Sequence, residues 1–234
     1  MGSESDKFAQ KANVIRHEDA QLFMDVGGIS SAREIEEHIE KYLGKIKTVF
    51  HEIVSDAIHL DVLFLMPSEK FPFVRLVTMG VSDLPMQIPK GSKGTSKYIE
   101  LMIALPPNWQ LDDASLRQEQ WYWPLRLLKF LGRLPHKHAT WLGYGHTIAA
   151  DDPPKPFADS TKLCGALILN SLTVPEDFHR LKIDEDKTIE FMCVVPLHRE
   201  ELEFKLKHGL DSLFDRFDEG NVGEVVEPGR QSVA

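Results

Sequence analysis

Cysteine, tyrosine and positive charge are all scarce in this chain. Its 234 residues include two cysteines and four tyrosines. Two cysteines, with no Cys-x-x-Cys and no Cys/His metal spacing, exclude a disulfide framework and a zinc ribbon. Cys164 and Cys193 each lie in a hydrophobic run and read as buried free thiols of a reducing compartment. Nothing in the sequence selects a disulfide between them. Lysine and arginine total 27 against 36 acidic residues, a net charge of −9. That balance argues against non-specific nucleic-acid binding and against attraction to anionic membranes. It suits a basic protein partner. No apolar run reaches the length of a bilayer span. Met1 to Gln21 lacks the apolar stretch of a signal peptide, and Asp6 stands where a myristoylated Met-Gly start needs Ser or Thr. The chain reads as a soluble, cytoplasmic protein.

The familiar catalytic signatures are missing too. Gly-x-Ser-x-Gly does not occur. Gly143-Tyr-Gly-His146 is too short for a phosphate loop and is not followed by Lys-Ser/Thr. What is present is an ordinary globular composition, 42% apolar and 27% charged, at a length suited to one large domain. There are no internal repeats and no low-complexity linker.

Residues 1–28 form a polar segment, irregular at first, with a short helix near His17 to Phe23. Ser31-Ala-Arg-Glu34 reads as a capping box. Ile35, Ile39, Tyr42 and Leu43 then share one helix face, Gly44 stops the helix, and Glu37 pairs with Lys41. Strands follow over Lys47–Val54, Ile58–Leu65, Phe73–Met79 and Tyr98–Leu105. Gly80–Gly94 is an excursion, and Pro106-Pro107 ends the fourth strand. A long helix starts at Asp112 or Leu116 and ends at Pro135. Pro124 suits a helix start, so Leu111–Tyr122 can form a separate short helix. Leu163–Leu169 and Thr188–Val195 are strands, adjacent through the Asn170–Asp186 connection. Glu200–Phe217 is helical, with Gly209 placed to break or kink it. The acidic end from Asp218 reads as frayed. Helices interrupt the strands irregularly, which predicts an α+β domain with a mixed β-sheet flanked by helices, in a single compact unit.

The densest block runs from Trp123 through the turn at His136–Thr140 to Trp141-Leu-Gly-Tyr-Gly-His-Thr-Ile148. Arg126, Lys129 and Arg133 recur at three and four residues, a narrow basic stripe that reads as the exposed edge of the helix. Trp141 and Tyr144 among glycines suit a bend that exposes aromatic anchors, or a corner that tucks Trp141 into the core. His136, His138 and His146 are close in sequence, yet a metal needs three or four converging ligands, and a solvated turn is the simpler reading. His59 and Asp61 point to one face of a strand. They read as a polar pair on the sheet. A hydrolase would need His59, Asp61 and His146 to converge. Asp83, Asp112, Asp113, Asp151 and Asp152 read as turn and cap residues.

Six stretches, in order, resemble the suppressor of fused family, and its short bacterial members in particular. They are Leu76–Met86, Tyr98–Trp109, Trp123–Leu131, Trp141–Ile148, Pro156–Gly165 and Lys205–Phe214. The resemblance implies a suppressor-of-fused-like domain over residues 29–230, with no catalytic residues, no metal and no cofactor. It implies a protein or peptide partner, no nucleic acid and no membrane. Eukaryotic relatives bind a peptide in a cleft by strand addition. Bacterial relatives are implicated as immunity proteins, or antitoxins, against toxins encoded beside them. The candidate protein-binding residues are Trp141, Tyr144, Gly145 and His146 in the loop, with Arg126, Lys129 and Arg133 on the helix. Asp83 and Asp159, which fall inside two of the matching stretches, complete the set.

Overall fold

Strand after strand in the middle of the chain is apolar on both faces. Every residue of Asp61–Leu65 and of Val74–Met79 is buried. Such strands need cover on two sides. A computed structural model, which describes residues 12–16, 29–52, 58–90 and 96–234, shows how that cover is built. The strands are β1 (Ala12–Arg16), β2 (Thr48–Glu52), β3 (Asp61–Leu65), β4 (Val74–Met79), β5 (Tyr98–Leu105), β6 (Thr147–Ala149), β7 (Gly165–Leu169), β8 (Arg180–Lys182) and β9 (Thr188–Leu197). They form one mixed sheet in the order β1-β2-β3-β4-β5-β9-β7-β6, with β8 also paired to β9. The β5–β9 pair is parallel and the other pairs are antiparallel.

Helix α2 (Glu119–Lys137) covers one face, packing Trp123, Leu127, Leu128 and Leu131 on Val62, Leu76, Leu101 and Val194. Helices α1 (Ala32–Leu43), α3 (Arg199–His208) and α4 (Leu210–Glu219) cover the other. Their Ile35, Ile39, Leu202, Leu213 and Phe217 join Leu63, Val77, Cys193 and Val195. The architecture is α+β: a mixed sheet flanked by helices in one compact unit. Among the described residues no helix is long and apolar enough to cross a membrane.

Several local expectations need correction. Part of the polar N-terminal segment is a strand: Ala12–Arg16 pairs with β2. The helix expected near His17 to Phe23 lies outside the described residues. Ser31 makes no side-chain cap; its hydroxyl accepts from Lys187 Nζ at 2.9 Å. Glu37 pairs with Arg33, one turn earlier, at 2.8 Å. Lys41 instead donates to the Tyr42 hydroxyl. Pro135 does not end α2, which runs on to Lys137. The cost of its missing N–H and of its ring against the Leu131 carbonyl falls on the last turn, where Pro135 itself is buried. Pro124 lies inside α2, and the segment before it holds a single 3-10 turn, Ser115–Arg117. The connection after β7 hides a further strand, β8. Gly209, at φ +89°, separates α3 from α4 as its position suggested. Both cysteines are free and buried.

The C-terminal end is not frayed. Val225 bridges to Ala104 beside β5, and Val226 is buried. Arg230 pairs with Glu201, whose side chain is fully buried, and also donates to the Pro196 carbonyl at 3.1 Å. The Val233 amide donates to the same Glu201 carboxylate at 3.2 Å. A buried carboxylate needs such partners, and the acidic tail supplies them in spite of its composition.

Candidate functional site

The loop before β6 is pinned from three directions. The His146 amide closes a turn on the Gly143 carbonyl at 3.0 Å. The Gly145 amide donates to the Ile168 carbonyl at 2.7 Å, and the Ile168 amide donates back to the His146 carbonyl at 2.9 Å. Lys205 Nζ, from α3, holds the Gly145 carbonyl at 2.6 Å. Gly145 has φ +79°, and a Cβ there would come within 3.1 Å of Leu210, so a glycine is required. The consequence is that Tyr144 stands out from the turn, 54% exposed. Trp141 behaves differently. It is half-buried, packs against the core beneath α2 and meets the His146 ring edge-on at 5.2 Å. Burial and the nearby Lys205 ammonium lower the His146 pKa, which favours the neutral imidazole.

Tyr144 sits at a break in the sheet. β7 and β8 both pair with the β9 edge that faces away from β5, one after the other. β7 reaches Cys193, and beyond β8 the Phe191 amide is held by the His179 carbonyl. Two cavities flank this break, and Tyr144 and Asn170 line both. On the α3–α4 face a cavity of about 550 Å³ is lined by Leu169, Leu172, Val195, Phe214, Phe217 and Val222. On the α2 face a cavity of about 380 Å³ is lined by polar groups, among them His179, Arg180 and Glu190. One side of the groove therefore suits apolar side chains and the other suits charged ones.

Leu172, at 92% exposure, overhangs the apolar cavity. Glu224 holds it there. Its carboxylate accepts from the Ser171 hydroxyl at 2.7 Å, the Leu172 amide at 2.9 Å and the Thr173 hydroxyl at 3.0 Å. Arg75 lies behind, 2% exposed, between the Phe71 and Phe73 rings, and donates to the Thr173 hydroxyl at 2.7 Å. Burial lowers the Arg75 pKa, against the pull of Glu224. Burial also pushes the Cys193 thiol, on the cavity floor, well up, so it stays protonated. A buried ionic lattice thus presents one bare leucine on a fixed turn.

The structure separates the residues that the sequence suggested. Tyr144 and Gly145 are in the groove region, with Trp141 and His146 supporting it. Asp159 is exposed on the loop before β7. Asp83 is tied to the start of α1, accepting from the Ser30 amide and hydroxyl at 3.0 and 2.8 Å. The basic stripe is not an exposed edge. Lys129 is 5% exposed, with its ammonium 5.4 Å from the Phe50 ring centroid. Arg126 is spent on Glu119 at 2.9 Å and on the Phe157 carbonyl at 2.6 Å. Arg133 is half-buried, and burial lowers its pKa. His136 belongs to α2 rather than to a solvated turn, and bonds the Val81 carbonyl at 3.1 Å; His138 is exposed. His146 adjoins β6, five strand spacings from Asp61 on β3, which is on the order of 20 Å. His59, Asp61 and His146 therefore do not converge. Sequence reasoning missed Asn170, Leu172 and Glu224. Leu172 carried no signal, because one leucine in a polar connection looks like any other.

Fold and site define a helix-covered mixed-sheet domain with a two-sided groove at a break in its sheet. The chain belongs to the suppressor of fused protein family, whose model matches residues 56–231. Solved structures agree. A suppressor-of-fused homologue from Neisseria gonorrhoeae FA 1090 superposes with a TM-score of 0.63 at 15% identity, over 88% of this chain and 98% of that one. The Sufu–Fu complex gives 0.61 at 16% identity, over 87% and 92%. Drosophila Suppressor of Fused gives 0.58 at 14% identity, over 86% of this chain and 49% of its own length. At these identities the likeness is one of fold. No curated protein matches the sequence.

Proposed function

We propose that the protein is a non-catalytic protein-binding domain and that it acts in the cytoplasm as an immunity protein, neutralising a toxin encoded beside it. The observation that carries the reading is the pair Tyr144 and Leu172, held outward on pinned turns around an apolar cavity of about 550 Å³. Exposed anchors on rigid supports beside a pocket are what a partner uses. Family membership supports it, since a related fold is known in complex with Fu. The net charge of −9 favours a basic partner through electrostatic steering. Residues 29–230 form the binding domain in this reading. Tyr144 and Gly145 are at the interface, Trp141 and His146 stand behind them, and Asp159 extends the acidic surface.

A second reading is an adaptor that takes a peptide by strand addition. It is favoured by β6, a three-residue strand at the edge of the sheet next to the groove. Co-expression with the product of the adjacent gene separates the two. An immunity protein restores growth to cells that the neighbour would otherwise kill. A harmless neighbour, or one just as toxic in its presence, overturns the immunity reading.

A further inference from the structure

β2 and β3 are antiparallel, with Phe50 opposite Val62. The next positions outward, His51 and Asp61, therefore face each other on the side of the sheet covered by α1. His59 precedes Asp61 by two residues and joins them. His51 Nδ1 lies 2.8 Å from Asp61 Oδ2, and His59 Nε2 lies 3.2 Å from Asp61 Oδ1. Asp61 is 3% exposed, and its Oδ1 makes an ion-pair contact with His59 that falls short of a well-aligned hydrogen bond. His51 Nε2 is buried without a partner. Gly80 presses on this corner: a Cβ there would meet the His59 carbonyl oxygen at 2.2 Å, which fixes the His59 backbone.

We propose that His51, His59 and Asp61 bind one divalent cation of the zinc class. Two imidazoles and a carboxylate are a ligand set for such an ion, with water completing four-coordination. One ligand atom from each residue lies within 4.8 Å of the others. Bonds of about 2.0–2.2 Å in a tetrahedral arrangement place ligand atoms roughly 3.3 Å apart. The 2.8 and 3.2 Å contacts lie just inside that spacing. The widest separation the cluster allows is about 1.5 Å beyond it. Of the three side chains, His59 is the most exposed at 37% and so has the most room to adjust. The Asp61 carboxylate, buried between two imidazoles, is the group that a cation would satisfy. The cluster is several strands from Tyr144, so it stands or falls apart from the groove.

The test is titration of the metal-free full-length protein with Zn²⁺ by calorimetry and with Co²⁺ by visible absorption. The expected result is uptake of one equivalent, a tetrahedral Co²⁺ spectrum and a rise in melting temperature with Zn²⁺. His59→Ala, at a half-exposed position, is expected to keep the fold and weaken uptake by more than about tenfold. Asp61→Asn, which keeps the shape, is expected to do the same. His138→Ala, at an exposed histidine outside the cluster, is expected to bind as the unaltered protein does. Absence of stoichiometric uptake, or equal uptake by a folded His59→Ala variant, overturns the proposal.

Discussion

At the scale of single residues, the strongest dependences are buried charges whose partners come from far along the chain. Glu201 is fully buried, and Arg230 is its countercharge, with the Val233 and His198 amides as further donors. Removing one member of a buried ion pair costs about 3–5 kcal/mol, because the other is left uncompensated. Arg230→Ala is therefore expected to lower unfolding stability by that amount, read from urea midpoints. Histidine burial sets a pH dependence. Burial lowers the pKa of His38, which lies against Phe178 and Phe191 and bonds the Phe178 carbonyl at 2.9 Å. His136 and His146 are lowered for the same reason. The unfolded chain then takes up protons first. The stability these groups give is complete above about pH 6.5 and is lost as pH falls toward their folded values. His59 works the other way. Its contact with Asp61 raises its pKa, so its contribution is present below about pH 6.5 and lost above. The lowered pKa of His38 by itself predicts a loss of stability as pH falls below about 6.5. Chemical denaturation of His38→Gln is expected to show a shallower loss over that range. Almost none of this was legible beforehand. Nothing local marks Glu201 as the partner of Arg230, or Glu224 as the support of Leu172, because both pairings exist only after the tail has docked.

At the scale of elements, legibility followed periodicity. β5 was readable because a buried strand bounded by Pro106 and Pro107 has one simple reading. α1 was readable from Ile35, Ile39 and Leu43 on one face. The errors came where tertiary contacts overrode local rules. Ser31 gave up its cap role to Lys187, and Lys129 was drawn over the Phe50 ring, so that a stripe that looked wet in sequence lies against the sheet. The three residues of β8 are too short to show a period. Gly132 tests how closely α2 sits on the sheet. A Cβ there would meet Leu60 at 2.6 Å and Val81 at 2.8 Å, both buried side chains. Alanine improves helix propensity by about 1 kcal/mol, while overpacking a filled core costs about 1–3 kcal/mol. With both neighbours locked in the core, overpacking dominates, and Gly132→Ala is expected to be destabilising in thermal melts despite the better helix former.

At the scale of the molecule, the family was legible in the order of six short stretches, and the fold class in the irregular alternation of helices with strands. The groove was only half legible. Tyr144 announced itself among glycines, whereas its setting, a break between β7 and β8 with a cavity on each face, depends on a strand that the sequence hid. The acidic surface makes a further prediction. Association with a basic partner slows as ionic strength rises, with the dissociation rate less affected, in stopped-flow or biosensor measurements. The central claim is that a partner binds through Tyr144 and Leu172. It is tested most directly by calorimetric titration of the adjacent gene product into the unaltered protein and into the Tyr144→Ala, Leu172→Asp double variant, with matched circular dichroism. The expected result is saturable binding that the double variant weakens by about a hundredfold, at roughly 1–2 kcal/mol per anchor. Equal affinity for the two folded proteins would contradict the account.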